Sequence, residues 1–167
     1  MPKQGRGGPE AHAKTLKTAG LAAISGLRSI AGPALLSRAV RRRDIQGLEG
    51  TPFAALDSPK VSSTLQLLMA GEMIGDKMPF VPSRTSVPPL LGRALSGALV
   101  GAVLFLDAER RPASGAVLGV LSAVAAAYSG EKLRAKGTEK LGVPGPILGL
   151  LEDGVVLFGG SRLLRRS

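Results

Sequence analysis

The chain has no cysteine and no tryptophan, one tyrosine, four phenylalanines and one histidine. Each shortage removes a class of function. Without cysteine there are no disulfides, no thiolate metal sites and no thiol nucleophile. His12 lies in a polar N-terminal stretch, where a solvated side chain is expected. Zinc-hydrolase and Ser-His-Asp chemistry therefore lose their residues. The net charge of +10 invites a nucleic-acid reading, but so few aromatic rings leave base-stacking platforms scarce. The basic residues also flank apolar stretches instead of lining one helix face. Gly5-Arg6-Gly7-Gly8 has no strand signal before it, so a nucleotide loop is not indicated. No cofactor, metal, enzymatic activity or nucleic-acid partner is implied.

What the chain does have is segregation. Charges gather in clusters such as Arg41-Arg42-Arg43, Arg110-Arg111 and Arg165-Arg166, and stretches of Ala, Gly, Leu and Val separate them. Mean hydropathy is positive. Twenty-three glycines are costly for helices in water and better tolerated where helices pack closely in lipid. Residues 1–18 read as a flexible basic tail. Residues 19–164 read as a single membrane helical domain of about five apolar segments.

The first segment covers residues 19–40, with Pro33 in its middle predicting a kinked or broken helix. Residues 41–60 form a charged loop with a short surface helix. The second segment, 61–77, is stopped by Pro79 and Pro82. The third covers 90–106. The fourth, 113–130, holds 18 residues without a charge and is the cleanest span, since a bilayer needs about 20 mostly apolar residues. The fifth starts near Pro144 and Pro146 and runs to residue 164. Glycine pairs at i,i+4 occur at Gly71/Gly75, Gly97/Gly101, Gly115/Gly119 and Gly145/Gly149. All lie within apolar segments, and close packing inside one subunit is favoured over a dimerisation code. With five spans, ten basic residues fall on one side and nine on the other, so the positive-inside rule assigns no orientation. Anionic lipid headgroups account for the flanking cations, and a homo-oligomer remains open.

Charges inside the apolar segments carry the functional question. The set is Arg28, Glu72, Asp76, Lys77, Arg93, Glu152 and Asp153. A charge in apolar surroundings is costly unless it is paired, hydrated or neutralised. Four acids against three bases nearly cancel. Two readings follow. Either the acids face a wet cavity and bind a cation or relay a proton, or they form ion pairs that fix helix packing. Lys77, at a segment edge, can instead snorkel toward the headgroups.

Several of these charges sit in blocks that resemble a known family. The blocks are Gly26-Leu27-Arg28-Ser29-Ile30-Ala31-Gly32-Pro33-Ala34, Glu72, and Asp76-Lys77-Met78-Pro79 followed by Pro82-Ser83-Arg84-Thr85. They continue through residues 88–93 and Ser96-Gly97-Ala98-Leu99, and close with Gly142-Val143-Pro144 and Leu151-Glu152-Asp153. Together they resemble the domain-of-unknown-function family 4126, small bacterial integral membrane proteins without an assigned activity. The resemblance implies an all-α, multi-pass inner-membrane bundle and supplies no reaction.

Overall fold

The computed structural model describes residues 8–75 and 85–164, the side chain of Leu141 excepted. Among these residues there is no strand. The helices are α1 (Pro9–Leu27), α2 (Ala31–Arg41), a short 3-10 helix (Pro52–Asp57), α3 (Pro59–Gly75), α4 (Val87–Asp107), α5 (Pro112–Leu141) and α6 (Gly145–Leu164). Proline stands in the first two positions of α1, α4 and α5, where its missing N–H has no intrahelical partner to lose.

Three boundaries differ from expectation. The stretch read as a tail is helical from Pro9, and Thr18 is buried. Arg110 Nη1 holds it by donating to Thr15 Oγ1 at 2.9 Å. The first segment is broken, but at Arg28-Ser29-Ile30 and not at Pro33. Pro33 is the third residue of α2, inside the first turn, where a helix tolerates it. Helix α5 runs past residue 130 to Leu141, because Glu131, Lys132 and Arg134 are good helix formers. Gly142, at φ +62°, stops it in the left-handed conformation that favours glycine.

The α4–α5 hairpin is the tightest contact. A Cβ on Gly97 would strike the Gly119 carbonyl, and one on Gly101 would strike the Gly115 carbonyl. The two backbones therefore meet with no side chain between them. Helix α1 joins the seam, with Gly26 against the Ala123 carbonyl. The other two glycine pairs do not pack this way. A Cβ on Gly71, Gly75 or Gly145 meets nothing, and Gly149 faces the Arg134 side chain. Residues 108–111 close the hairpin: Arg110 N–H bonds Phe105 O at 2.8 Å and Glu109 N–H bonds Leu106 O at 2.9 Å, a Schellman turn with Glu109 at φ +54°.

That turn marks one end of the bundle, here the turn end. Helix α1 starts there, and α2 returns to it. Gly160 of α6 is flanked by both Ile24 and Leu35, Leu163 lies over Gly20, and Leu164 sits beside Ala39. Advancing along α6 thus moves backward along α1 and forward along α2, so the two form an antiparallel hairpin. Its return leg reaches the turn end where Gln46 N–H bonds Asp107 Oδ1 at 2.9 Å. Helix α3 then leaves the turn end beside α2, with Gln66 Nε2 donating to Ala34 O at 2.9 Å. Nine of the eleven residues of α2 are buried. At about 1.5 Å per residue, a helix this short is only about half a bilayer core long. Of the expected five spans, two helices among the described residues are long and apolar enough to cross a membrane: Val87–Asp107 and Pro112–Lys140.

The seam predicts opposite results for one substitution at two sites. Gly71→Ala gains helix propensity, about 1 kcal/mol, without a clash. Gly101→Ala drives its methyl into the Gly115 carbonyl. Thermal unfolding followed by circular dichroism should show the first variant at or above the parent and the second well below it. Equal shifts would refute the seam.

Candidate functional site

The break between α1 and α2 brings together three of the interior charges, Arg28, Glu72 and Asp153. Arg28 closes α1, its N–H on Ile24 O at 2.9 Å, and then turns to extended backbone at φ −139° and ψ 113°. The chain re-enters helix at Ala31. Buried backbone donors at such a break need acceptors. Glu72, from α3, supplies them. Its Oε1 accepts from Ser29 N–H and from the Ser29 hydroxyl, both at 2.8 Å, and its Oε2 accepts from Ile30 N–H at 2.9 Å. The carboxylate also lies at the N-terminal end of α2, where the helix dipole favours negative charge.

Arg28 is the counterpart. It is 1% exposed and heads the fully buried side chains by size. Its Nη2 lies 2.7 Å from Asp153 Oδ1 on α6, and its Nη1 makes a longer 3.4 Å bond to the Glu72 carbonyl. The guanidinium lies at the C-terminal end of α1, where positive charge is favoured. Two complementary charges thus meet the two half-helix ends. At the apex, Gly32 packs so closely on Ser25 that a Cβ would occupy the Ser25 hydroxyl position.

The remaining charges sort differently. Glu152, adjacent to Asp153, pairs with Arg134 Nη2 at 2.9 Å, both side chains partly buried. Arg134 falls outside the sequence candidates because it lies beyond the uncharged stretch 113–130. A signal was present. Gly115, Gly119, Ala123, Ala127, Gly130 and Gly137 form the buried stripe of α5, and Arg134 falls on it at helical spacing. Arg93 is buried and engaged in polar contact one turn before Gly97. Asp76 and Lys77 lie outside the described residues.

Two cavities open elsewhere. One of about 990 Å³ lies at the turn end between Pro9, Lys14, Phe105 and Arg110. Arg110 there stacks on the Phe105 ring at 4.1 Å. The other, about 160 Å³, lies between Arg38 and Arg42 of α2 and Ser161 of α6. Neither is lined by Arg28, Glu72, Glu152 or Asp153. Among the described residues, Glu72, Asp153 and Glu152 face amides and guanidinium groups, the arrangement expected of a structural network.

Residues 16–162 match a protein-family model described as "Domain of unknown function (DUF4126)". No curated protein and no solved structure matches the chain.

Breaking a buried pair costs more than replacing it, because one charge is left behind. Asp153→Asn should destabilise the fold by about 3–5 kcal/mol. The paired change Arg28→Met with Asp153→Leu should recover much of that loss in thermal unfolding. A double variant as unstable as Asp153→Asn would show that the guanidinium does more than balance Asp153.

Proposed function

The chain belongs to this family of domains of unknown function, DUF4126, and on that premise we propose that it is an integral membrane protein whose buried charges hold its broken helix in place. One observation carries the reading: α3 and α6 turn large apolar side chains outward while polar ones sit inside among the core residues. On α3, Ser62, Gln66 and Glu72 point inward while Leu67, Leu68 and Ile74 are exposed, Leu67 at 74%. On α6, Asp153 points inward while Leu150, Leu151, Val155 and Phe158 are exposed, Phe158 at 79%. In water this places apolar surface where polar surface is favoured, on a scale that marks an interaction face. In lipid it is the stable arrangement, since polar groups must be satisfied internally. Helices α4 and α5 add Leu91, Leu95, Val117 and Leu121 to the exposed apolar surface. The partner is the lipid bilayer itself, and the reading includes no catalytic step.

A second reading is kept because the break meets ionisable groups beside a half-helix end, which is how many transporters build a substrate site. In it, Glu72 exchanges a proton or cation. The three hydrogen bonds on its carboxylate favour the structural role.

Two measurements test these readings. The full chain expressed in bacterial cells should stay in the membrane pellet through alkaline carbonate extraction; release into the supernatant would sink the membrane reading. Glu72→Gln replaces an acceptor oxygen with a donor amide facing Ser29 or Ile30. On the structural reading this variant loses thermal stability by about 1–3 kcal/mol or more. On the transport reading it folds normally and loses proton-coupled cation flux in liposomes.

A further inference from the structure

The α1–α2 hairpin decides how such a chain lies in a bilayer. Both of its ends are at the turn end, tied there by the Arg110–Thr15 and Gln46–Asp107 bonds. Its apex is at mid-depth. Gly26 rests on the Ala123 carbonyl, and Ala123 is also what a side chain on Gly97 would meet. Gly97 is the midpoint of α4, Val87–Asp107, which is long and apolar enough to span. A hairpin that enters from one face and turns back at the middle does not cross. Irregular backbone at that depth is tolerated only where protein buries it, and Arg28-Ser29-Ile30 is held by Glu72 and Asp153 from two neighbouring helices.

Among the described residues only α4 and α5 are long and apolar enough to cross by length and composition alone. In the membrane reading α3 and α6, whose interior polar groups are satisfied by neighbouring helices, cross beside them. The four alternate in direction. Helix α3 starts at the turn end. Helices α4 and α5 are antiparallel through the glycine register, and α6 is antiparallel to α5 through Arg134–Glu152 and Gly137–Leu148. An even number of crossings places Pro9 and Leu164 on the same side. The basic residues then sort unevenly. Arg41, Arg42, Arg43, Arg110, Arg111 and Arg162 gather at the turn end, joined by Lys14, Lys17 and Lys60. Among the described residues the opposite end has Lys132, Lys136 and Lys140 on α5, with Arg134 beside them paired to Glu152. The near balance of the five-span count arose from placing the N-terminal cations opposite the Arg41–Arg43 cluster. Tyr128 is half exposed. The Gly97/Gly119 and Gly101/Gly115 register sets it level with the start of α4, at the depth where tyrosine favours the interface.

We infer that α1 and α2 form a re-entrant hairpin entering from the turn end, and that this basic end faces the anionic cytoplasmic leaflet. The positive-inside rule gives the side, and attraction of Lys and Arg to anionic headgroups gives the partner chemistry. The inference rests on the membrane reading above.

The absence of cysteine makes the test direct. Single substitutions His12→Cys, Gln46→Cys and Thr138→Cys, all at exposed positions, are made in the full chain. Intact bacterial cells are treated with a membrane-impermeant maleimide, and only chains retained in the carbonate-resistant pellet are scored. Thr138→Cys should be labelled in intact cells. His12→Cys and Gln46→Cys should stay at background until the cells are permeabilised. Labelling of His12→Cys and Gln46→Cys from opposite sides would overturn the re-entrant hairpin. Protection of Thr138→Cys with labelling of the other two, or labelling of all three in intact cells, would overturn the orientation. Loss of all three chains from the pellet would instead sink the membrane reading itself.

Discussion

A helix interrupted in the interior is the constraint on which the fold depends. Ser29 and Ile30 have N–H groups that no helical carbonyl can reach, and the Glu72 carboxylate answers both. The acid is itself costly to bury, and the α2 N-terminus and the Ser29 hydroxyl offset that cost. Arg28 completes the arrangement, balanced by Asp153. Each group is a liability without the others. Helices α3 and α6 are therefore located by polar contacts as much as by apolar packing. That suits a bundle whose outer surface is apolar too, because hydrophobicity alone does not tell its inside from its outside.

The remaining cohesion works by a different means. Between α4 and α5 the glycines remove side chains altogether, so the backbones touch and dispersion acts at short range. The clamp sets which helix meets the break, and the seam sets how closely two helices approach. They meet at Ala123, which contacts Gly26 on one side and Gly97 on the other. The position of the break is thus referenced to the tightest contact in the molecule.

Much of this was legible in the chain. The apolar segments after residue 60 became helices with shifted ends, and the all-α class followed from their spacing. Glu72, Arg28 and Asp153 were readable as interior because uncharged residues surround them. The break was readable only as a tendency. Pro33 marks a residue that cannot donate, yet a first turn needs no donor there, so the interruption falls before it. What places it at Ser29 is a carboxylate 43 residues away in sequence, and a local reading has no access to such a contact. Glu152 finding Arg134 was hidden by a similar habit, since a run of charges reads as the end of a helix when it can equally be the solvated continuation of one. On the proposed re-entrant topology the failed charge balance has a simple origin, since a segment that doubles back looks, by composition, like one that crosses.

The distance along the chain between Arg28 and Asp153 has a consequence for synthesis. Arg28 emerges with the first helix and Asp153 only with the last. Chains fold broadly in the order they are made, so the apex arginine waits through most of translation for the carboxylate that holds it. The ion pair cannot close until α6 arrives. The final helix is then the one that locks the first two, and a chain shortened before it leaves a buried cation without this counter-charge.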